Sequence, residues 1–183
     1  MSSNYPSLIT NRLNLRAFTL FDVDELCSLA GDRRISDMCL NIPHPYLPET
    51  GSNWISDHST AFNEKKAVIF AVCQKNGGKL VGACGMELEF SDKRGELGYW
   101  IGHPYQGNGY ATEAVLETLR YGFTYLFLHR ITATSISWNS SSAHVLEKAG
   151  FQKEGLLRRH VLKNGAFADL IMWGILRDEF ADE

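Results

Sequence analysis

No apolar stretch in these 183 residues approaches the length of a membrane span, so the sequence offers no transmembrane helix. Its opening, Met-Ser-Ser-Asn-Tyr-Pro, lacks the basic start and apolar run of a secretory signal, and the expectation is a cytoplasmic protein. Cysteine is sparse. Cys27, Cys39, Cys73 and Cys84 form no CxxC pair and no metal-like spacing, which points to buried, reduced thiols. No grouping of His, Cys, Asp and Glu has metal-ligand spacing, so no metal is expected. Excess charge of one sign is missing as well: 18 basic against 21 acidic residues leave −3, which argues against a nucleic-acid surface over the whole molecule. Repeats, low-complexity tracts and interdomain linkers are absent, so residues 1–183 read as one domain. At 44% apolar and 21% charged residues, that length can bury a sizeable core.

What is present is an alternation of strand-like and helix-like segments. Residues 8–18 read as an opening strand with Leu13 and Leu15 on one face, and Asp22 is placed to cap a helix running to about residue 30. Residues 31–50 read as irregular, with Pro43, Pro45 and Pro48 around His44 and Tyr46, and a second helix is expected over 52–64. Strands follow at 67–74 and 80–90, joined by Asn76-Gly77-Gly78, then a turn at 92–95 and a strand over 96–102. The spacing predicts one helix over 110–126 with a polar stripe of Glu113, Glu117, Arg120, Tyr121 and Thr124. A strand at 130–138, a short helix ending at Gly150 and a hairpin over 154–176 turning at Asn164-Gly165 complete the chain. The expected fold is a mixed α/β sheet, mostly antiparallel, of six or seven strands flanked by helices.

The junction at 106–111, Gln-Gly-Asn-Gly-Tyr-Ala, stands between a strand and a long helix. Gly107 and Gly109 allow a tight bend that exposes bare N–H groups. The helix start adds donors without internal partners at the positive end of its dipole. Backbone N–H groups of Gln106, Gly107, Asn108, Gly109, Tyr110 and Ala111, with the Thr112 hydroxyl, make a cradle for phosphate oxygens. The bland alternative is a tight turn with no ligand.

The order strand, this loop, helix, strand, Asn-x-x-Ser, short helix, Gly-Phe resembles the GNAT superfamily of acetyl-CoA-dependent N-acetyltransferases. Its phosphate loop, Q/R-x-x-G-x-G/A, is matched by Gln106, Gly109 and Ala111. Stretches at 10–16, 96–100, 128–130, 139–142, 146–151 and 154–158 are similar to the RimJ/RimL-like branch, which acetylates ribosomal-protein N-termini. The resemblance runs from about residue 8 to 173 and implies acetyl-CoA as co-substrate, its pyrophosphate on the loop, and direct transfer to a primary amine. The favoured acceptor is a protein N-terminal α-amine, ribosomal proteins included. A small amine (antibiotic, polyamine or amino acid) and a CoA-binding module without turnover are the alternatives. Family members are monomers or homodimers.

By the same resemblance the main chain of Trp100, Ile101 and Gly102 pairs with the pantetheine amides, on a strand that splays from the one at 130–138. Glu96 shares a strand face with Gly98 and Trp100 and is the candidate general base; it is equally a solvated carboxylate paired with Arg94 or Lys93. Asn139 is a cofactor contact or only a helix cap. Ser142 is the candidate acid for the departing thiolate, with Tyr121 or Tyr125 as alternatives. His44 and Tyr46 are candidates for the acceptor side, since loops on a rigid scaffold often carry specificity. The sequence departs from the branch at Arg158-Arg159-His160-Val161, where some members carry a carboxylate.

Overall fold

β3 (Ala67–Gln74) and β4 (Leu80–Glu89) read as nearly unbroken apolar runs, because both their faces are covered. They form the centre of an eight-stranded sheet in the order β1-β2-β3-β4-β5-β6-β8-β7, seen in a computed structural model that describes residues 5–181. The remaining strands are β1 (Leu8–Ile9), β2 (Leu13–Arg16), β5 (Arg94–Ile101), β6 (Arg130–Ile136), β7 (Gln152–Lys163) and β8 (Ala166–Leu176). Every neighbouring pair is antiparallel except β5 and β6. Helices α1 (Val23–Ala30), α2 (Arg33–Ser36), α3 (Pro48–Asn63), α4 (Tyr110–Arg120) and α5 (Ser140–Lys148) complete the fold. α1 and α3 cover one face, packing Leu26, Leu29 and Ile55 on Ala71, Leu80 and Ala83. α4 and α5 cover the other, packing Val115, Leu119 and Leu146 over Phe70, Leu97 and Ile131.

Four local differences from the sequence expectation have physical causes. The opening segment is two short strands, so the count is eight: Thr10 turns the chain, its Oγ1 accepting the Leu13 N–H at 2.9 Å while its own N–H donates to the Leu13 carbonyl at 3.0 Å. α3 begins at Pro48, four residues before the expected start, with that proline in the first turn, where a missing N–H is harmless. The helix after the loop ends at Arg120 and is followed by a wide turn at Tyr121–Tyr125 with five-residue spacing. That turn takes Tyr121 out of the polar stripe and buries it against Phe70, ring centroids 5.9 Å apart. Asp22 sits at the start of α1 without capping it. Its carboxylate accepts the Arg16 guanidinium at 2.7 and 2.8 Å and the Thr19 N–H at 2.8 Å.

On the α1–α3 face, His58 lies edge-on to Trp54 and Phe18, at centroid distances of 4.3 and 5.6 Å. It is 7% exposed, and neither ring nitrogen has a hydrogen-bond partner. Burial lowers its pKa to about 4 from the ordinary 6.5. Between those values the unfolded chain binds a proton that the fold rejects. Stability therefore falls as pH drops through that window, by up to about 1.4 kcal/mol per unit, and levels off below it. Urea midpoints measured from pH 7 to 4 should show this slope in the natural chain and lose it in His58→Phe. An unchanged slope in the variant would assign it to other groups.

Candidate active site

β5 and β6 run parallel and stay paired from Arg94↔Arg130 only as far as Leu97↔Ala133. Beyond that β5 continues to Ile101 and β6 to Ile136, each held by its other neighbour. The sheet is therefore open between the two strands over their last residues. Strand register decides which groups face the opening. Gly102 N–H donates to Val81 O at 2.8 Å, so in the alternation of an antiparallel ladder Gly102, Trp100 and Gly98 bond to β4. Tyr99 and Ile101 turn their main chain the other way, into the gap. Of the expected Trp100, Ile101 and Gly102, Ile101 turns its main chain toward the gap, as does Tyr99, while Trp100 and Gly102 bond to β4. The Ile101 carbonyl accepts the Gln106 side-chain amide at 2.9 Å, which leaves its N–H to the gap.

The loop that follows is built to turn its N–H groups outward. Gly107 and Gly109 have φ of +77° and +78°, a conformation costly for residues with a Cβ. The Asn108 side chain donates to the carbonyls of Tyr105 and Gln106 at 3.0 and 3.2 Å, tying the loop to itself. Among the described residues, the N–H groups of residues 107–112 find no acceptor. A Cβ on Gly107 would meet nothing within 4 Å, so the space above it is open. These donors suit the negative oxygens of a pyrophosphate.

Arg12 fastens this loop to the sheet, a role the sequence reading missed. Its Nε donates to Glu113 Oε2 at 2.7 Å and its main-chain N–H to Glu113 Oε1 at 2.8 Å, while Nη1 donates to the Asn108 carbonyl at 2.8 Å. Thr10 Oγ1 adds a bond to Glu113 Oε1 at 2.6 Å. Burial alone would raise the Glu113 pKa; the bonds from Thr10 and Arg12 outweigh it and hold the carboxyl below its ordinary range. The Arg12 guanidinium also lies 5.0 Å from the Tyr110 ring centroid.

The N-terminus of α5 flanks the gap. Asn139 is its cap: Oδ1 accepts the Ser142 N–H at 3.1 Å, and Nδ2 donates to the Met38 carbonyl at 3.3 Å. The Ser142 hydroxyl lies 2.8 Å from the Tyr99 hydroxyl, which is also 3.1 Å from the Ser142 carbonyl. Burial drives the Tyr99 pKa upward, so its proton stays on at neutral pH. Tyr121 and Tyr125 stack on each other, with Tyr121 against Phe70 in the core, and neither makes this contact. Glu96 is exposed on the opposite face of β5, sharing it with Gly98 and Trp100; Thr134 Oγ1 lies 3.4 Å from its Oε1. No ion pair joins it to Lys93 or Arg94 among the described residues, and Arg94 is instead 3.5 Å from Asp92. A carboxylate on one face and a hydroxyl pair on the other thus bracket the gap. His44 is exposed, and Tyr46 packs under the α1–α3 cluster.

Residues 12–152 match the model of the acetyltransferase (GNAT) domain, and the chain belongs to that family. It is 34% identical over 180 residues to an uncharacterised N-acetyltransferase, p20, of Bacillus licheniformis, covering 96% of this chain and 98% of that protein. It is 27% identical to a spermidine N(1)-acetyltransferase of Vibrio cholerae, over 94% of this chain and 97% of the relative. The crystal structure of a ribosomal-protein-S5-alanine acetyltransferase from Vibrio fischeri superposes with a TM-score of 0.84 at 26% identity, covering 96% and 99% of the two chains. The protein is therefore an N-acetyltransferase of the GNAT type with acetyl-CoA as its donor.

If Arg12 holds the loop in shape, Arg12→Met and Glu113→Gln should each raise the dissociation constant for CoA about tenfold, about 1.4 kcal/mol. Calorimetric titration checks this, and affinity unchanged in both variants would remove the pair from the site.

Proposed function

We propose that this enzyme acetylates the N-terminal α-amino group of a protein, a ribosomal protein being the first candidate, by direct transfer from acetyl-CoA. The observation that carries this reading is the pair of groups bracketing the β5–β6 gap, Glu96 on one face and Tyr99 with Ser142 on the other. An amine approaching from the Glu96 side meets the thioester while the sulfur faces the hydroxyls. Base and acid are then separate groups, so the amine can lose its proton as it adds to the carbonyl and the thiolate can gain one as the tetrahedral intermediate collapses.

Each group has a defined task. The N–H donors of residues 107–112, reinforced by the Thr112 hydroxyl, hold the pyrophosphate, and the main chain of Tyr99 and Ile101 pairs with the pantetheine arm as an added strand edge. Of the Tyr99 and Ile101 N–H groups, the one that the pantetheine arm leaves free polarises the thioester carbonyl. Glu96 takes the amine proton directly or through a water. Ser142, hydrogen-bonded to Tyr99, supplies a proton to the thiolate, which needs only modest help because a thiol has a pKa near about 8.5. Positioning both reactants in the gap supplies much of the rate. An α-amine with a pKa near about 8 asks less of the base than a lysine or polyamine near about 10, because far more of the α-amine is neutral at pH 7.

Glu96→Gln should lower kcat at least tenfold with the acetyl-CoA KM within about twofold, and Ser142→Ala or Tyr99→Phe should lower it less. Full activity in Glu96→Gln removes it as the base. The acceptor is tested by incubating ribosomal-protein N-terminal peptides, spermidine and free amino acids with acetyl-CoA and looking for a gain of about 42 Da, one acetyl group. Acetylated peptides are expected, and acetylation of spermidine alone would overturn the acceptor reading.

A further inference from the structure

The stretch that departs from the RimJ/RimL-like pattern, Arg158-Arg159-His160, forms a wide bulge in the edge strand β7. Leu157 pairs with Leu170 and Val161 with Ala168, so three residues of β7 stand opposite the single residue Asp169 of β8. Arg159 has φ +50°, unfavourable for an arginine, and its N–H donates to Asp169 Oδ1 at 2.6 Å, which holds the bulge open. The result is a cleft of about 690 Å³ lined by Leu156, Leu157, Arg158, Arg159, His160 and Asp169. Both guanidiniums are exposed, and neither has an ion-pair partner among the described residues.

The cleft belongs to the same end of the sheet as the gap. Asp169 accepts the Ser137 N–H on its main-chain carbonyl at 2.9 Å, just past the end of β6. Beside it the hairpin tip is pinned to the segment after α2 by Lys163 Nζ donating to the Cys39 carbonyl at 2.5 Å and Asn164 Nδ2 to Asp37 at 2.8 Å. With strands about 4.8 Å apart, β7 lies roughly 10 Å beyond β6, the span of about three extended residues.

We propose that this bulge is an acceptor-recognition site for carboxylate, selecting amines that carry an acidic group about two to four residues behind the reacting nitrogen. Two unpaired guanidiniums attract and orient a carboxylate and repel a polycation. Backbone outliers such as Arg159 cluster at ligand sites, where the surroundings over-determine them.

The inference rests on the acceptor reading above, and the test separates the two. Two tetrapeptide amides share an N-terminal alanine and differ in two following residues, glutamates in one and glutamines in the other; free glutamate and glutamine form the small-molecule arm. The acidic-to-neutral ratio of kcat/KM is expected at tenfold or more. It should fall toward one in Arg158→Gln and in Arg159→Gly, with the loss in the acceptor KM; glycine accepts this φ, so the second variant keeps its fold. In parallel, the same peptides with acetylated N-termini, which cannot react, are titrated calorimetrically, and the acidic one should bind at least tenfold tighter. A ratio near one in the natural chain, or one that survives both substitutions, overturns the proposal. Preferential binding of the acidic peptide with no peptide turned over upholds the cleft and overturns the peptide acceptor. Preference confined to free glutamate, whose carboxylates lie within one residue of its amine and far short of that span, overturns the proposal.

Discussion

The parting of β5 from β6 is the constraint on which the rest of the molecule depends. Two parallel strands that stop pairing while both continue would ordinarily leave buried donors and acceptors unmatched, at a cost of about 1–3 kcal/mol for each buried group. Here each strand keeps its outer partner: Gly102 stays on Val81, and Ser137 stays on Asp169. Only the inward-facing groups of Tyr99 and Ile101, with their counterparts on β6, are left over. The Gln106 amide takes one of them, the Ile101 carbonyl. What remains is a short unpaired edge inside a sheet, and an extended amide-bearing chain is its natural complement.

The other parts of the site follow from that opening. The loop after β5 must reverse direction within a few residues, which glycines at positive φ allow, and the reversal leaves the N–H groups of residues 107–112 without acceptors among the described residues. Arg12 and Glu113 keep the loop from relaxing. α5 starts where β6 leaves the sheet, so Ser142 reaches Tyr99 across the gap. Glu96 stands on the other face at the throat, one residue before the last paired position. The glycine loop, the Tyr99–Ser142 hydroxyl pair and Glu96 are thus placed by one departure from regular pairing.

Much of this was legible in the sequence. The apolar runs of β3 and β4, the Gly-Gly and Asn-Gly turns and the phosphate loop are local signals, carried by residues close together in the chain. The order of loop, Asn-x-x-Ser and Gly-Phe gave the family that the comparisons then showed. The unread features are long-range or depend on parity. Arg12 reaches Glu113 across a hundred residues of chain, and only pairing register shows that Tyr99 rather than Trp100 faces the gap. Thr10 breaking the first strand and Pro48 starting α3 were in principle readable, as a turn-forming hydroxyl and a first-turn proline, but their neighbours masked them. The bulge at Arg159 had one trace in the sequence, the absence of an expected carboxylate; Asp169 of the facing strand supplies one beside it.

The account is tested most directly by amide hydrogen exchange, residue by residue, with and without CoA. It predicts that Tyr99 and Ile101 exchange quickly in the free chain and Trp100 slowly. Saturating CoA should slow Tyr99, Ile101 and residues 107–112 together. Tyr99 and Ile101 already protected without CoA, or unchanged in its presence, would contradict the claim that the opened strand edge is the cofactor's seat.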